Sequence, residues 1–200
     1  MKINLTGIHP LSFVPSNKRI SDVWNWDLIF SSNEKYLVIA PSGTGKSSLT
    51  GFLYGFRNDY SGEILFDDKN IKKLELDDWA LIRQKKISII FQDLRLFEQL
   101  SVEENIYLKC SLGTTLKNET INEFANRMDI ADLFSRNVGT LSMGQKQRVA
   151  ILRSLIQPFE FLLMDEPFSH LDPENISKAL ELINFVCENQ KAGFIITSLE

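Results

Sequence analysis

The chain has 200 residues, enough for one sizeable core or at most two small ones. Its 44% hydrophobic and 24% charged content suits an ordinary globular domain, and a formal net charge of -4 argues against a nucleic-acid binder that works by neutralising phosphates. No apolar run approaches the roughly 18–20 residues needed to span a bilayer. The opening stretch MKINLTGIHPLSF shows no secretory signal pattern, and the two cysteines, Cys110 and Cys187, form neither a CxxC pair nor a disulfide framework. They read as structural thiols in a reducing cytosol.

In chain order, Tyr36-Leu37-Val38-Ile39 predicts a short buried strand running into a glycine-containing loop. A helix from Ser47 to about Tyr54 follows, stopped near Gly55. Gly62 to Phe66 predicts a strand with an Asp67-Asp68 turn after it, and Ile87 to Phe91 another buried strand. From Leu94 to about Leu155 the pattern is helical. Ser101 and Glu104 form a capping box that opens one helix, a second covers about Asn118 to Met128, and a third begins at Ser142. Phe161 to Met164 returns to a strand, Asp172-Pro173 caps a helix to about Glu188, and Phe194-Ile195-Ile196 is a last strand. Buried strands separated by helices predict an α/β fold with a mainly parallel core sheet, interrupted by a block of helices.

Three stretches carry chemistry. Ala40-Pro41-Ser42-Gly43-Thr44-Gly45-Lys46-Ser47-Ser48 follows a strand and opens a helix, the context that a phosphate loop requires. Gly43 and Gly45 allow successive N–H groups to point at one centre, and the helix N-terminus adds its own free N–H groups and positive dipole end. Lys46 supplies a mobile charge for the β and γ phosphates, and Ser47 a hydroxyl for Mg²⁺. The second stretch, Phe161-Leu162-Leu163-Met164-Asp165-Glu166-Pro167, is a buried strand ending in two carboxylates that cannot both be hidden. Neighbours in a strand face opposite ways, so Asp165 and Glu166 are expected to do different jobs, one near a Mg²⁺ shell and one polarising water. In the third, Leu141-Ser142-Met143-Gly144-Gln145, a capping box of Ser142 with Gln145 doubles as a potential anion site.

With Gln92 after its strand and Ser169-His170-Leu171-Asp172 after Asp165-Glu166-Pro167, these motifs resemble the ATP-binding cassette ATPases from about Ile20 to Ser198. The stretch LRLFEQLSVEENIYL is most similar to subunits that drive lipoprotein release, macrolide-type export and cell-division permease-like complexes. The resemblance implies a P-loop NTPase fold with a small antiparallel β part. It implies one nucleotide-binding domain, with a core of about 1–92 and 156–200 and a helical subdomain of about 93–155.

By the same resemblance, two cassettes close head to tail over two ATP molecules. Ser42, Gly43, Thr44, Gly45, Lys46, Ser47 and Ser48 hold the phosphates of one ATP, while Ser142, Gly144 and Gln145 cap the γ-phosphate held by the other subunit. Asp165 binds Mg²⁺ together with Ser47 and Gln92, Gln92 senses the nucleotide, and Glu166 is the general base. Asp172 and Ser169 lie at the dimer interface. Phe13 is the first candidate to stack on adenine, with Trp24 and Trp26 as alternatives that also read as core or strand residues. Some of Leu94, Leu96, Phe97 and Leu100 are expected to meet a membrane permease; the competing reading packs them inside the subdomain. The chain is then the ATPase subunit of a transporter or permease-like complex, working as a dimer and peripheral at the cytoplasmic face of the membrane, with no nucleic acid among its partners.

The sequence departs from the family pattern at three positions. Ala40 replaces the first glycine of the phosphate loop and should take ordinary backbone dihedrals there. Met143 replaces a signature glycine, with the hydroxyl and second glycine retained. Ser198 occupies the position of a histidine that touches the γ-phosphate, and neither His9 nor His170 can be aligned there. Serine carries no positive charge, so ATP binding with slow hydrolysis is expected. A cassette that binds ATP and regulates assembly is therefore one alternative, and a soluble cassette ATPase without a membrane partner is another. The family continues past the last strand, so the chain is expected to be a minimal cassette or a shortened one.

Overall fold

The computed structural model of the chain describes residues 1–12, 21–111 and 116–199. In order the elements are β1 (Lys2–Pro10), β2 (Leu28–Ser31), β3 (Lys35–Ile39), α1 (Lys46–Leu53), β4 (Tyr60–Phe66), β5 (Lys69–Asn70), α2 (Leu76–Lys85) and β6 (Ile87–Ile90). Then come α3 (Val102–Cys110), α4 (Asn118–Arg127), α5 (Met143–Leu155), β7 (Phe161–Asp165), α6 (Pro173–Gln190) and β8 (Gly193–Ser198). Two four-stranded sheets result. One has the order β2-β1-β4-β5 with every pair antiparallel, the other the order β3-β8-β7-β6 with every pair parallel.

The parallel sheet is buried on both faces at its centre. Phe161, Leu163 and Ile195 pack with β1, α1 and β4, while Leu162, Met164, Phe194 and Ile196 pack with α3, α4, α5 and α6. The alternation along β7 and β8 sends successive side chains into two apolar clusters, which explains why their sequences are near-continuous hydrophobic runs. Gly193 has no room for a side chain: a Cβ there would stand 2.3 Å from the Glu34 carbonyl oxygen.

Several segments differ from the sequence expectations, among them β3, expected to be buried but with Leu37 and Ile39 each 59% exposed. β1 and β2 were not anticipated, although Ile3, Leu5 and Ile8 are fully buried or nearly so. Their alternation is broken by a register shift between Thr6 and His9, where Gly7 takes a positive φ of 55°. Helix α2 has no fully buried residue and leaves Leu76 87% exposed; its apolar stripe is narrow, with Trp79 and Ile82 partly buried against the core. Its start is capped by Glu75 and Asp78 rather than by Ser or Thr. The stretch 94–100 is not helical. Leu94 and Arg95 have φ of 58° and 48°, left-handed conformations that end any helix, and α3 begins only after the Ser101 cap.

Candidate functional site

The carboxyl ends of the parallel strands meet along one edge of the sheet. Register places Asp165 beside Thr197, Thr197 beside Val38, and Ser198 beside Ile39. The loop after β3 starts from this edge, with the Ala40 N–H donating to the Ser198 carbonyl at 3.2 Å. Residues distant in sequence are thus gathered where a ligand meets the strand ends of an open α/β sheet.

The loop between β3 and α1 is built on Gly43 and Gly45, with φ of 74° and 97°, whereas Ala40 keeps an ordinary negative φ. A side chain at those glycines would be strained, and their conformation curls the chain around a concave backbone surface. Gly45 is also the N-cap of α1 and has no side-chain cap, so the N–H groups of the first turn are left to an external acceptor. Lys46 is buried, and its ammonium donates to the Ala40 carbonyl at 2.7 Å and the Pro41 carbonyl at 3.2 Å. Ser42, Gly43 and Ser47 are exposed, Thr44 and Gly45 half-buried and Ser48 buried.

The two carboxylates part company, though not by strand alternation, because β7 ends at Asp165. Asp165 is buried and its Oδ1 accepts from the Thr197 hydroxyl at 2.7 Å. Glu166 leaves the strand with a left-handed φ of 48°, which aims it across the sheet edge. Its Oε1 lies 3.2 Å from Lys46 Nζ, and its Oε2 accepts from Gln92 Nε2 at 3.2 Å. Lys46, Glu166 and Gln92 therefore form one polar chain between the ends of β3, β7 and β6.

Ser142 and Gln145 cap α5 reciprocally: the Ser142 hydroxyl accepts from Gln145 N–H at 3.3 Å and the Gln145 Oε1 from Ser142 N–H at 3.0 Å. Among the described residues this cap makes no hydrogen bond to the loop of residues 40–48. Met143 points outward, 47% exposed, while a Cβ on Gly144 would stand 3.0 Å from the His170 carbonyl oxygen. The missing glycine is therefore at the permissive position and the retained one at the crowded position. Asp172 caps α6, accepting from Asn175 N–H at 2.9 Å and Asn175 Nδ2 at 2.8 Å, which holds its carboxyl below the usual range. The Ser169 hydroxyl lies 2.9 Å from His170 Nδ1. Ser198 is half-buried at the end of β8.

The aromatic candidates separate. Phe13 lies outside the described residues. Trp26 is 59% exposed and anchored by its indole N–H to the Ser21 carbonyl at 2.7 Å. Trp24 is buried, edge-on to Phe52, with its indole N–H on the Thr44 carbonyl. Beyond Gln92, Leu94 is buried and Leu96 partly buried against the core, whereas Phe97 is 54% exposed.

Four side chains outside the sequence reading complete the arrangement. Gln147, buried on α5, donates to the Pro167 carbonyl and accepts from the His170 N–H at 2.8 Å, tying the signature helix to the loop after Glu166. Thr197 holds Asp165. Arg57, paired with Asp59, donates to the Ser48 hydroxyl at 2.8 Å. Arg153 donates to the carbonyls of Leu94 at 2.8 Å and Arg95 at 2.7 Å, and burial pushes its guanidinium down to about 10. None follows a motif of spacing; only Gln147, an amide on the buried face of a helix, carried a visible signal.

A left-handed glycine pair, an uncapped helix start and a lysine at its first turn fit a polyphosphate. The oxygen donors Ser47, Asp165 and Gln92 fit a hard divalent ion that shares its coordination with phosphate oxygens. Among the described residues no cluster of three or more His, Cys, Asp or Glu is placed to hold a metal ion. Fold and site together define a P-loop nucleoside triphosphatase.

The ABC transporter family model matches residues 23–169. The chain is 34% identical over 176 residues to the thiamine import ATP-binding protein ThiQ of Escherichia coli (strain 536), covering 86% of this chain and 73% of that protein. Its Salmonella typhimurium counterpart is 35% identical over 176 residues, covering 86% and 72%. The dimeric structure of MJ0796, a bacterial ABC transporter cassette, superposes with a TM-score of 0.84 at 24% identity, covering 99% of this chain and 88% of that one. A bacterial Atm1-family ABC exporter with ATP bound gives 0.78 at 22% identity, covering 100% and 34%. The chain belongs to the ABC transporter family and is an ATP-binding ATPase of that family.

Proposed function

We propose that this chain is the energy-coupling subunit of a membrane transporter or permease-like complex, in which ATP binding closes two cassettes and hydrolysis reopens them. The observation that carries this reading is Glu166, held between Lys46 and Gln92 at the sheet edge where the phosphate loop begins. Ser42 to Ser48 hold the phosphates of ATP through backbone N–H groups, the Lys46 ammonium and the hydroxyls. Ser47, Gln92 and Asp165 hold Mg²⁺, which when bound neutralises charge on the phosphates. Glu166 accepts a proton from the attacking water, and its contact with Gln92 lets the residue after β6 report what occupies the site. Ser142, Gly144 and Gln145 serve the ATP held by a second subunit, and Ser169 with Asp172 face the dimer seam.

Residues 93–155 form the partner-facing helical subdomain, with exposed Phe97 the strongest of the apolar candidates for a permease contact. No helix of the described residues is long and apolar enough to cross a membrane, so the reading places the chain at the cytoplasmic face through its partner. The permease, not this chain, selects the cargo. Ser198 favours one second reading: a cassette that binds ATP well, turns it over slowly and mainly drives assembly. Steady-state phosphate release by the purified dimer or full complex, with Glu166→Gln as control, tests the proposal. Turnover well above that of Glu166→Gln, with nucleotide affinity retained in the variant, supports hydrolysis through Glu166. Equal turnover in the two proteins removes Glu166 as the base.

A further inference from the structure

Trp24 sits before β2, outside every motif of the phosphate site. Its ring is 8% exposed and meets Phe52 of α1 edge-on, with centroids 6.3 Å apart. Its indole N–H donates to the carbonyl of Thr44 at 2.9 Å. Thr44 lies between Gly43 and Gly45, the two left-handed glycines of the loop, so its flanking peptides are the least restrained there. The Thr44 hydroxyl is engaged elsewhere, donating to the Pro41 carbonyl at 2.7 Å.

In a trans peptide the C=O and the following N–H point in opposite directions. A donor that holds the Thr44 oxygen from behind therefore aims the Gly45 N–H the other way, toward the concave side of the loop. We propose that Trp24 is a positioning residue of the phosphate loop, whose indole N–H fixes the Thr44–Gly45 peptide with its N–H presented to a bound phosphate. This rests on the reading that the loop holds the phosphates of ATP. The tether is also well placed mechanically. Phe52 belongs to the helix that the loop opens and packs tilted on Tyr60 with centroids 4.8 Å apart, so the ring of Trp24 is braced by the same helix whose entry its N–H adjusts. The indole thus acts on the loop from the protein side and leaves the ligand side free.

The test is Trp24→Phe, which keeps an aromatic ring against Phe52 and removes the N–H. Benzothienylalanine at position 24 alone, which exchanges the N–H for sulphur on the same bicyclic frame, is the second probe. Dissociation constants for ADP and ATP are measured by calorimetry, kcat and KM by phosphate release, and Tm by scanning calorimetry. One lost hydrogen bond predicts an affinity loss of about three- to tenfold for both nucleotides in both variants, with KM raised in step and kcat within about twofold. The benzothienyl protein should do this with Tm lowered by no more than one lost hydrogen bond costs, and less than in Trp24→Phe, a split that loss of packing does not produce. Unchanged affinity in both variants overturns the proposal. So does wild-type affinity in the benzothienyl protein beside weakened binding in Trp24→Phe, since the ring and not its N–H then matters. If the wild-type chain itself binds neither nucleotide, the ATP reading falls and takes this inference with it, an outcome distinct from either of the others.

Discussion

Replacing Gln147 by leucine should both loosen the protein and slow its chemistry. Gln147 is 1% exposed and joins α5 to the loop that carries Glu166. Its amide donates to the buried Pro167 carbonyl and its Oε1 accepts the His170 N–H at 2.8 Å. Leucine fills the volume but leaves that carbonyl and N–H without partners, at about 1–3 kcal/mol each. The sum, about 2–6 kcal/mol, corresponds to a Tm lower by about 4–24 °C for a chain of this size. Glu166 stands one residue before Pro167 with a left-handed φ of 48°, a conformation its surroundings must enforce. A displacement of about 1 Å at such a residue costs on the order of 100-fold in rate. Scanning calorimetry gives the first quantity. Saturating-ATP turnover, measured well below the onset of melting, gives the second. A variant that melts early yet turns over within twofold of wild type would refute the claim that Gln147 sets the geometry of Glu166, leaving it a packing residue only.

Ser198→His should raise turnover by about tenfold or more, because a chargeable donor then stands at the end of β8 beside the start of the phosphate loop; an unchanged rate shows that this position does not limit hydrolysis. Lys109 donates to Gln157 Oε1 at 2.6 Å, and burial, with the nearby Arg153 charge, pushes its ammonium down from 10.5 to about 8. Above pH 8 the folded state releases this proton while the unfolded chain keeps it, so stability rises with pH between about 8 and 10.5. Urea midpoints of wild type minus Lys109→Met should climb across that window, and a flat difference contradicts the burial effect. Cys187 is fully buried and burial pushes its thiol up to about 12, so it should react with a disulfide reagent at neutral pH only once the protein is unfolded in urea.

The strand-loop-helix around Lys46, the two helix caps at Ser101 and Ser142, the Asp172-Pro173 start of α6 and the apolar runs of β6, β7 and β8 are local signals, and the structure realises each within a few residues. They are legible because hydrogen bonds within a turn and apolar periodicity depend on near neighbours in sequence. Strand alternation predicted that Asp165 and Glu166 part, but β7 ends at Asp165 and the left-handed φ of 48° at Glu166 is what turns it away. Elements stabilised elsewhere were not legible. β1 and β2 exist through antiparallel pairing in a sheet that also needs β4, about 50 residues further on, and α2 gives the core only the partly buried Trp79 and Ile82. The left-handed turn at Leu94 and Arg95 is held by Arg153 from α5, 58 residues further on.

The sequence alone determined the chemistry available at the site: a glycine-containing loop before a helix, one lysine, two carboxylates, one glutamine and a serine at the end of the last strand. Only the tertiary structure decided their company. Parallel pairing in the order β3-β8-β7-β6 brings Lys46, Glu166 and Gln92 into one chain of contacts, and the same packing sets Gln147 on Pro167, Thr197 on Asp165 and Trp24 on Thr44 beside them. Side-chain chemistry is a property of each residue, whereas the direction of a carboxylate or of a peptide N–H is set by partners that sequence distance conceals.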